Sequence, residues 1–429
     1  DKGKVPKIAF YTLGCRLNFA ESSGLAREFA AKGFEVVDFE QAADVYVVNT
    51  CTVTAAAEKK CRQVIHQAHR LNPQAKIAVV GCFSQLRPQE VERLEGVDWV
   101  LGTHDKHLLP DFVSGVRTRA ENASESGFVP TYSSVGRTRS FFKVQDGCNN
   151  FCSYCAIPYA RGRSRSDTVA RTLRTAEEIA ASGVKEIVLT GVNIGDFGHA
   201  HNESLLDLLK ALDGLGGVER IRIGSVEPDL LSDEIIDFVA GSQKLMPHFH
   251  IPLQAGNDEV LKQMRRHYTR AFYAGRVERI RKVLPEAFIA CDLIVGFPTE
   301  TDACFEDAYR FVEGLDLSAL HVFSYSPRKE AASSLLREDY EPARKAERSA
   351  RMHALSDMKK QRFYARFLQG EQKVLWESDV RDGKMFGYTP NYLRVAGVFR
   401  PERINTVETV RLETLFKDEH KDWCLHTGC

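Results

Sequence analysis

Residues 145–166, "QDGCNNFCSYCAIPYARGRSRS", hold Cys148, Cys152 and Cys155, separated by three and then two residues. A closed metal site normally takes four ligands, so three thiols in one loop raise the question of what occupies the fourth position. The stretch overlaps "FFKVQ", a run of strand length, and similar runs follow: "EIVLTG", "RIRIGS", "HFHIPL", "FIACDLIVGF" and "LHVFSYS". Helical stretches near 168–182, 203–214, 231–241, 256–266, 271–284 and 301–314 lie between and after them. Strands alternating with helices predict a parallel sheet covered by helices. Six such units predict a partial (β/α)6 barrel over about residues 138–330, with its site where the strands end. At those ends stand the three-Cys loop, Gly191 and Asn193, Ser225 and Glu227, Gln254, Asp292 and Gly296, and Tyr325 with Arg328. Polar groups at six successive strand ends predict one shared pocket. The alternative for each is that it caps or connects elements.

Working outward, the N-terminal runs "KIAFYTLG", "FEVVDF", "DVYVVNT", "KIAVVG" and "VDWVLG" alternate with helical stretches. They predict a doubly wound parallel sheet over about residues 5–115. Cys15, Cys51 and Cys82 each follow directly after such a run. The carboxyl ends of neighbouring strands converge on one crevice, so three Cys 36 and 31 residues apart are expected to meet. Their alternative is ordinary buried thiols, since free Cys packs as a small hydrophobe. Cys61 lies inside the following helix and reads as structural. Residues 117–140, rich in Ser, Thr, Gly and charge, mark a linker. After the barrel, "KVLWESD", "MFGYTPNYLRVAG" and "INTVETVRLETLF" read as short strands of a small all-β, OB-like barrel. The expected division is 1–118, a linker at 119–139, a barrel with a trailing helix at 140–365, and a β-module at 366–429.

Composition agrees with a multidomain globular chain: 429 residues, 43% hydrophobic and 27% charged. No apolar run reaches about 18 residues, so no membrane span is expected. The start shows no signal-peptide core, and a cytosolic, monomeric protein is expected. Formal net charge is zero, which argues against a generally cationic nucleic-acid binder. Two stretches depart from that balance. Arg161, Arg163 and Arg165 fall within five residues, and residues 262–282 hold eight Lys or Arg against Glu278 alone. Both are candidate phosphate contacts, and both are equally read as solvated helix faces. Eleven Cys in such a chain read as metal ligands or core residues rather than as a disulfide framework.

The spacing of Cys148, Cys152 and Cys155 suits three corners of a cubane iron–sulfur cluster, with the fourth iron left open. Zinc is the rival. A structural zinc wants a fourth ligand, and neither His nor Cys occurs between Cys155 and His199. A three-ligand catalytic zinc stays open.

Cys148, Cys152, Tyr154 and Cys155 resemble the CxxxCxΦC signature of radical S-adenosylmethionine enzymes. In that superfamily the open iron chelates the amine and carboxylate of S-adenosylmethionine, and reductive cleavage yields a 5'-deoxyadenosyl radical. The resemblance implies that Tyr154 packs near the adenine. It further implies that Gly191 and Asn193 hold the methionyl amine, that "IVGFP" around Gly296 contacts adenine, and that Ser225, Glu227 and Gln254 add contacts. The whole layout resembles the radical S-adenosylmethionine methylthiotransferases. It thereby implies a second 4Fe-4S cluster on Cys15, Cys51 and Cys82, at which one S-adenosylmethionine methylates a sulfur while a second supplies the radical, in an order the sequence leaves open. The C-terminal segment resembles the TRAM RNA-binding module, in which Tyr388, Tyr392 and Arg394 would stack on or clamp RNA; as plain residues they read equally as core.

"TLGCRLN" and the three-Cys stretch look most like the branch acting on N6-threonylcarbamoyladenosine, 3' of the tRNA anticodon. Arg16 adjoins Cys15, and a guanidinium suits the threonyl carboxylate; the alternative is a phosphate contact. The expected partners are that tRNA and an unidentified electron donor. The alternatives are the isopentenyladenosine branch, the ribosomal-protein branch, and a metal-containing RNA-binding protein without catalysis.

Overall fold

The computed structural model describes residues 5–117, 127–133, 138–337 and 342–428. Most of the expected linker, and Cys429, lie outside them.

The N-terminal domain is a five-stranded, all-parallel sheet of β1 (Lys7–Thr12), β2 (Glu35–Val37), β3 (Val45–Thr50), β4 (Lys76–Gly81) and β5 (Val97–Leu101), in the order β2-β1-β3-β4-β5. β3 is buried along its whole length, as expected of a central strand covered on both faces. The covering helices are α1 (Arg16–Ala31), α2 (Ala55–Leu71), α3 (Cys82–Leu86), α4 (Pro88–Glu92) and α5 (Leu109–Val113). Chain order reverses between β1 and β3, which makes their carboxyl ends the switch-point crevice of such a sheet. Thr12 pairs with Asn49 and Thr50 with Gly81, so β1, β3 and β4 end level with one another.

The central domain begins with β6 (Thr131–Tyr132), an antiparallel edge on β7 (Arg139–Lys143). A small ladder of β8 (Gln145–Asp146) and β9 (Arg165–Ser166) brackets the three-Cys loop and α6 (Ile157–Arg161). There follow α7 (Val169–Ala181), β10 (Glu186–Thr190), α8 (Leu205–Asp213), β11 (Arg220–Arg222), α9 (Asp233–Gly241) and β12 (His248–His250). The series ends with α10 (Asp258–Gln263), α11 (Arg270–Val283), β13 (Phe288–Val295), α12 (Asp302–Gly314), β14 (Ala319–Ser324) and α13 (Pro342–Ala365). Hydrogen bonding splits the strands into β11-β10-β7-β6 and β12-β13-β14, linked by single bridges such as Ser225 to His250. The series is the expected open (β/α)6 arrangement, and no pairing of β14 with β7 closes it among the described residues.

The two-residue strand period sorts its side chains. Ile187, Leu189, Ile221, Phe249, Ile289 and Leu293 face outward into the main core with Leu208, Leu212, Ile236 and Ile280. The alternate positions turn inward and include strongly polar groups. Glu186 and Arg222 form an ion pair with both side chains fully buried, at 2.9 Å. Such a pair is retained only when its remaining donors are satisfied, and Arg222 accordingly donates to the Pro390 carbonyl.

That last contact belongs to the C-terminal sheet: β15 (Glu371–Arg381), β16 (Lys384–Tyr388), β17 (Arg394–Val398), β18 (Val407–Arg411), β19 (Thr414–Lys417) and β20 (Trp423–His426). Its order is β18-β15-β16-β17-β20-β19, antiparallel except for β17 with β20. The expected OB-like β-module is thus a six-stranded sheet whose order leaves β18 and β19 at its edges among the described residues. Its apolar residues, Trp376, Met385, Val395, Val410 and Leu425 among them, form one cluster that also takes in Phe363 and Phe367 of α13 and its extension and Phe288 and Ala319 of the barrel. Arg220 donates to the carbonyls of Tyr388 and Lys373, and Arg139 pairs with Glu377, so the sheet stoppers the floor of the barrel.

Candidate active site

Cys15 is the N-cap of α1, Cys51 follows β3 and Cys82 opens α3. The level strand ends bring these three thiols into one electrostatic neighbourhood. Burial pushes the Cys51 thiol up to about 12, with Cys82 and Cys15 adding to the rise, and burial likewise raises Cys82. Gly14 makes the approach possible: its φ is +94°, and a Cβ there would lie 3.0 Å from the Cys51 sulfur. Asn18 staples the loops, donating to the Leu13 and Thr50 carbonyls at 2.8 and 3.0 Å. Cys61 points elsewhere, its thiol on the Cys51 carbonyl.

The second set sits on the loop after β8. Gly147, at φ +71°, lets the loop turn against the Arg163 backbone, where a Cβ would come within 2.1 Å of the carbonyl oxygen. Burial raises Cys148 to about 11 and Cys155 to about 12, and the neighbouring thiols add to both. The Ile157 amide points at the Cys155 sulfur, and Arg266 donates to Cys152 at 3.0 Å.

The two sets are brought together by buried ion pairs. Arg161, 1% exposed, reaches from α6 to Glu21 and Asn18 of α1 and to Asp146. Lys106 and Lys143 also pair with Glu21. Burial alone would raise the Glu21 carboxyl, but Arg161, Lys106 and Lys143 hold it far below the ordinary range. A second latch joins Arg328, after β14, to Glu58 of α2 at 2.9 Å, and a third joins Arg87 to Glu330 at 3.1 Å. Between the domains lies a cavity of about 240 Å³ lined by Val53 and Thr54, which follow Cys51, by Tyr154, Cys155 and Gln254, and by Asp292, Phe323 and Tyr325.

Tyr154 and Gln254 are thus brought to the cavity, Gln254 in a left-handed conformation with φ +68° and hydrogen-bonded across to β13. Glu227 lies one contact away: it pairs with Arg266, which holds Cys152. Ser225 bridges to His250. Asn193 is 5% exposed, and its Oδ1 has no partner among the described residues. Gly191 packs on Gln145. Gly296 does not line the cavity; its amide donates to Glu300, and the Lys345 methylenes lie where a side chain would go.

Several expected substrate contacts are corrected. Arg161 is consumed by Glu21 and Asp146 and cannot reach a phosphate. Tyr392 stacks on Tyr388 at 4.7 Å, with Arg139 and Arg222 over its ring, inside the barrel floor rather than on an RNA platform. Arg394 pairs with Asp418 and lies over Phe386. In the basic stretch 262–282, Arg270, Arg276, Arg279 and Arg281 pair with Asp307, Asp233, Asp237 and Asp316, so it is the neutralised helix face. Arg163 remains exposed. Arg16 is exposed, reaches the Tyr392 hydroxyl at 3.3 Å and lies over Phe141 at 5.4 Å, inside the barrel.

Sequence reasoning missed three positions that the structure brings to the site. Gln145 accepts from the amides of Val192 and Asn193 and donates to the carbonyls of Asp146 and Gly147, tying the three-Cys loop to the second strand end. Arg266 was hidden in a run of charge. His321 joins His250 on the Asp292 carboxylate, at 3.1 and 2.7 Å. A buried Gln at a strand end, and His at inward strand positions, were the available signals.

All-sulfur sets suit iron–sulfur clusters or zinc. Burial favours the protonated thiols of Cys51, Cys82, Cys148, Cys152 and Cys155, so binding as thiolates requires a compensating cation, and the fit is chemically sound. The unpartnered Asn193 oxygen is a ready acceptor for an amine-bearing ligand.

A profile described as Uncharacterized protein family UPF0004 matches residues 7–102, and one described as Radical SAM superfamily matches residues 142–312. The threonylcarbamoyladenosine tRNA methylthiotransferase MtaB of Bacillus subtilis is 38% identical over 94% of this chain and 93% of its own length. The tRNA-2-methylthio-N(6)-dimethylallyladenosine synthase of Syntrophotalea carbinolica is 33% identical over 96% and 98%. Among solved structures, the radical S-adenosylmethionine methyltransferase TsrM of Kitasatospora setae aligns over 77% of each chain with a TM-score of 0.57 at 17% identity, a likeness of fold. No described helix is long and apolar enough to cross a membrane. With both domain profiles in sequence and relatives at this identity over nearly its whole length, the chain belongs to the radical S-adenosylmethionine methylthiotransferases and is an enzyme of that class.

Proposed function

We propose that this enzyme inserts a methylthio group at C2 of N6-threonylcarbamoyladenosine in tRNA, using two 4Fe-4S clusters and S-adenosylmethionine. The observation that carries the reading is the cavity between the two domains, whose wall holds Cys155 of one thiol set and Val53 and Thr54, just after Cys51 of the other. The bound clusters and cofactor would supply the reducing electron, the primary radical and the sulfur to be transferred. Cys148, Cys152 and Cys155 hold one cluster; Cys15, Cys51 and Cys82 hold the other. Tyr154 and Gln254 wall the cofactor, Asn193 accepts from its amine, and Arg266 holds Cys152 and Glu227 in place. Arg16 meets the threonyl carboxylate, Arg163 contacts a backbone phosphate, and the C-terminal sheet is the TRAM-like RNA-binding module. Substrate choice follows Arg16 and three relatives at 35–38% identity over 86–96% of the chain that are named for threonylcarbamoyladenosine. The dimethylallyl branch, represented at 33% and 36%, is the second reading.

The test is anaerobic iron and sulfide quantification together with nucleoside mass spectrometry of tRNA from cells lacking and regaining the gene. About eight iron and eight sulfide per chain fit two cubanes. About four of each, or zinc without sulfide, would sink the two-cluster reading. Appearance of the methylthio group on the dimethylallyl nucleoside alone would sink the substrate assignment.

A further inference from the structure

Inside the barrel, one layer in from the cavity wall, β12, β13 and β14 place three titratable side chains on one another. Asp292 and His321 are directly paired across β13 and β14, and His250 comes from the end of β12. One oxygen of Asp292 takes both imidazoles, His250 through Nε2 and His321 through Nδ1. The ligand atoms of the three lie within 4.8 Å of one another. Neutral imidazoles that each donate to a carboxylate are fixed in tautomer. His250 is then left with an acceptor at Nδ1 and His321 with an acceptor at Nε2. His321 is half exposed, whereas Asp292 belongs to the cavity wall. Toward the mouth the next inward layer is apolar, Ile294 opposite Phe323. Toward the floor stand Arg16, Tyr392 and His248. A substituent entering the barrel therefore meets an apolar collar, then two imidazole acceptors, then a guanidinium.

Resting on the proposed substrate, we infer that the His250–Asp292–His321 cluster is a specificity site that receives the hydroxyl of the N6 substituent while Arg16 takes its carboxylate. The order of groups matches the chemistry: a flat base suits the collar, an alcohol donor suits an imidazole acceptor, and a carboxylate suits a guanidinium. Arg16 adjoins Cys15, and the N6 substituent lies on the N1 side of adenine, next to C2. The arm that reaches Arg16 thus carries C2 toward the Cys15 set. An apolar arm in the same slot would leave the imidazole acceptors without donors, which costs more than a missing contact.

Three anticodon stem-loops, carrying N6-threonylcarbamoyl, N6-glycylcarbamoyl or N6-dimethylallyl adenosine, test this on the anaerobic holoenzyme and on His321→Phe. The glycyl compound keeps the carboxylate and lacks the hydroxyl. The wild type is expected to prefer threonyl over glycyl by about tenfold in kcat/KM, the worth of one good hydrogen bond. His321→Phe should reduce that preference to within about twofold. Iron content and tRNA-independent formation of 5'-deoxyadenosine should stay unchanged, which separates recognition from folding. A variant that keeps the threonyl preference, or a wild type that has none while still using both carbamoyl substrates, overturns the inference and leaves the proposed function standing. A wild type active on the dimethylallyl stem-loop alone overturns the proposed function and with it this inference. Equal loss of 5'-deoxyadenosine formation and insertion would assign His321 to the cofactor and also overturn it.

Discussion

Glu21→Gln is the most informative single substitution in the molecule. The change is close to isosteric, yet it removes the anion that Arg161, Lys106 and Lys143 share, while Asp146 keeps its own contacts to Arg161, Lys143 and Arg165. All of these except Arg165 are nearly or fully buried. Removing one partner of a buried pair leaves uncompensated charge and costs about 3–5 kcal/mol. The lower figure, at about 2–4 °C per kcal/mol for a unit of this size, predicts a fall of roughly 6–12 °C in the first thermal transition. The damage should be local. Hydrogen exchange should accelerate in α1 and α6, the two helices the network joins, and hardly at all in β10 or β13. Cluster occupancy on Cys15, Cys51 and Cys82 should fall with it. A variant that melts within about 2 °C of the wild type, with unchanged exchange in α1 and α6, would refute the claim that this network docks the first domain onto the barrel.

Other outcomes follow from the same contacts. Because Glu21 is held far below its ordinary 4.5, its contribution is fully present above that value and is lost only as pH falls toward the folded value. Docking measured by exchange should therefore be flat from about pH 6 to 8 and weaken only below about pH 4. Ala at Cys15, Cys51 and Cys82 together should halve the iron and abolish sulfur insertion while S-adenosylmethionine cleavage continues; loss of both activities would place the two sets in one function. Gln145→Leu strands the amides of Val192 and Asn193, and a loss of about 1–3 kcal/mol should appear as about 5- to 150-fold weaker S-adenosylmethionine binding. Arg163→Ala should weaken tRNA binding across sequences and lower the salt slope by about one, whereas Tyr392→Ala should lower stability and leave that slope unchanged.

The architecture was legible where a pattern is local. The apolar runs ending at Thr12, Thr50 and Gly81 read as buried strands, and the thiols beyond them read as neighbours because parallel sheets gather their strand ends. The six barrel strands and their helices were legible for the same reason. What escaped was pairing over distance. "ARGRSRS" reads as a cationic patch because Glu21, the counter-ion of Arg161, lies 140 residues upstream. Tyr392 reads as an RNA platform or as core alike because nothing near it announces Arg222, far earlier in the chain. The strand order of the last domain was not legible because short strands state their own extent but not which edge they meet. The imidazoles of His250 and His321 went unremarked because each is a lone residue in its strand, and only the register across β13 unites them.

The three latches across the domain boundary, at Glu21, Glu58 and Glu330, have a mechanical consequence. Parting the two halves would strip several desolvated charges of their partners at once, so the gap between the sulfur sets behaves as a vise of fixed width. Deformation must then fall on the guest: the anticodon loop has to unstack and swing its purine out into a slot that was cut before it arrived.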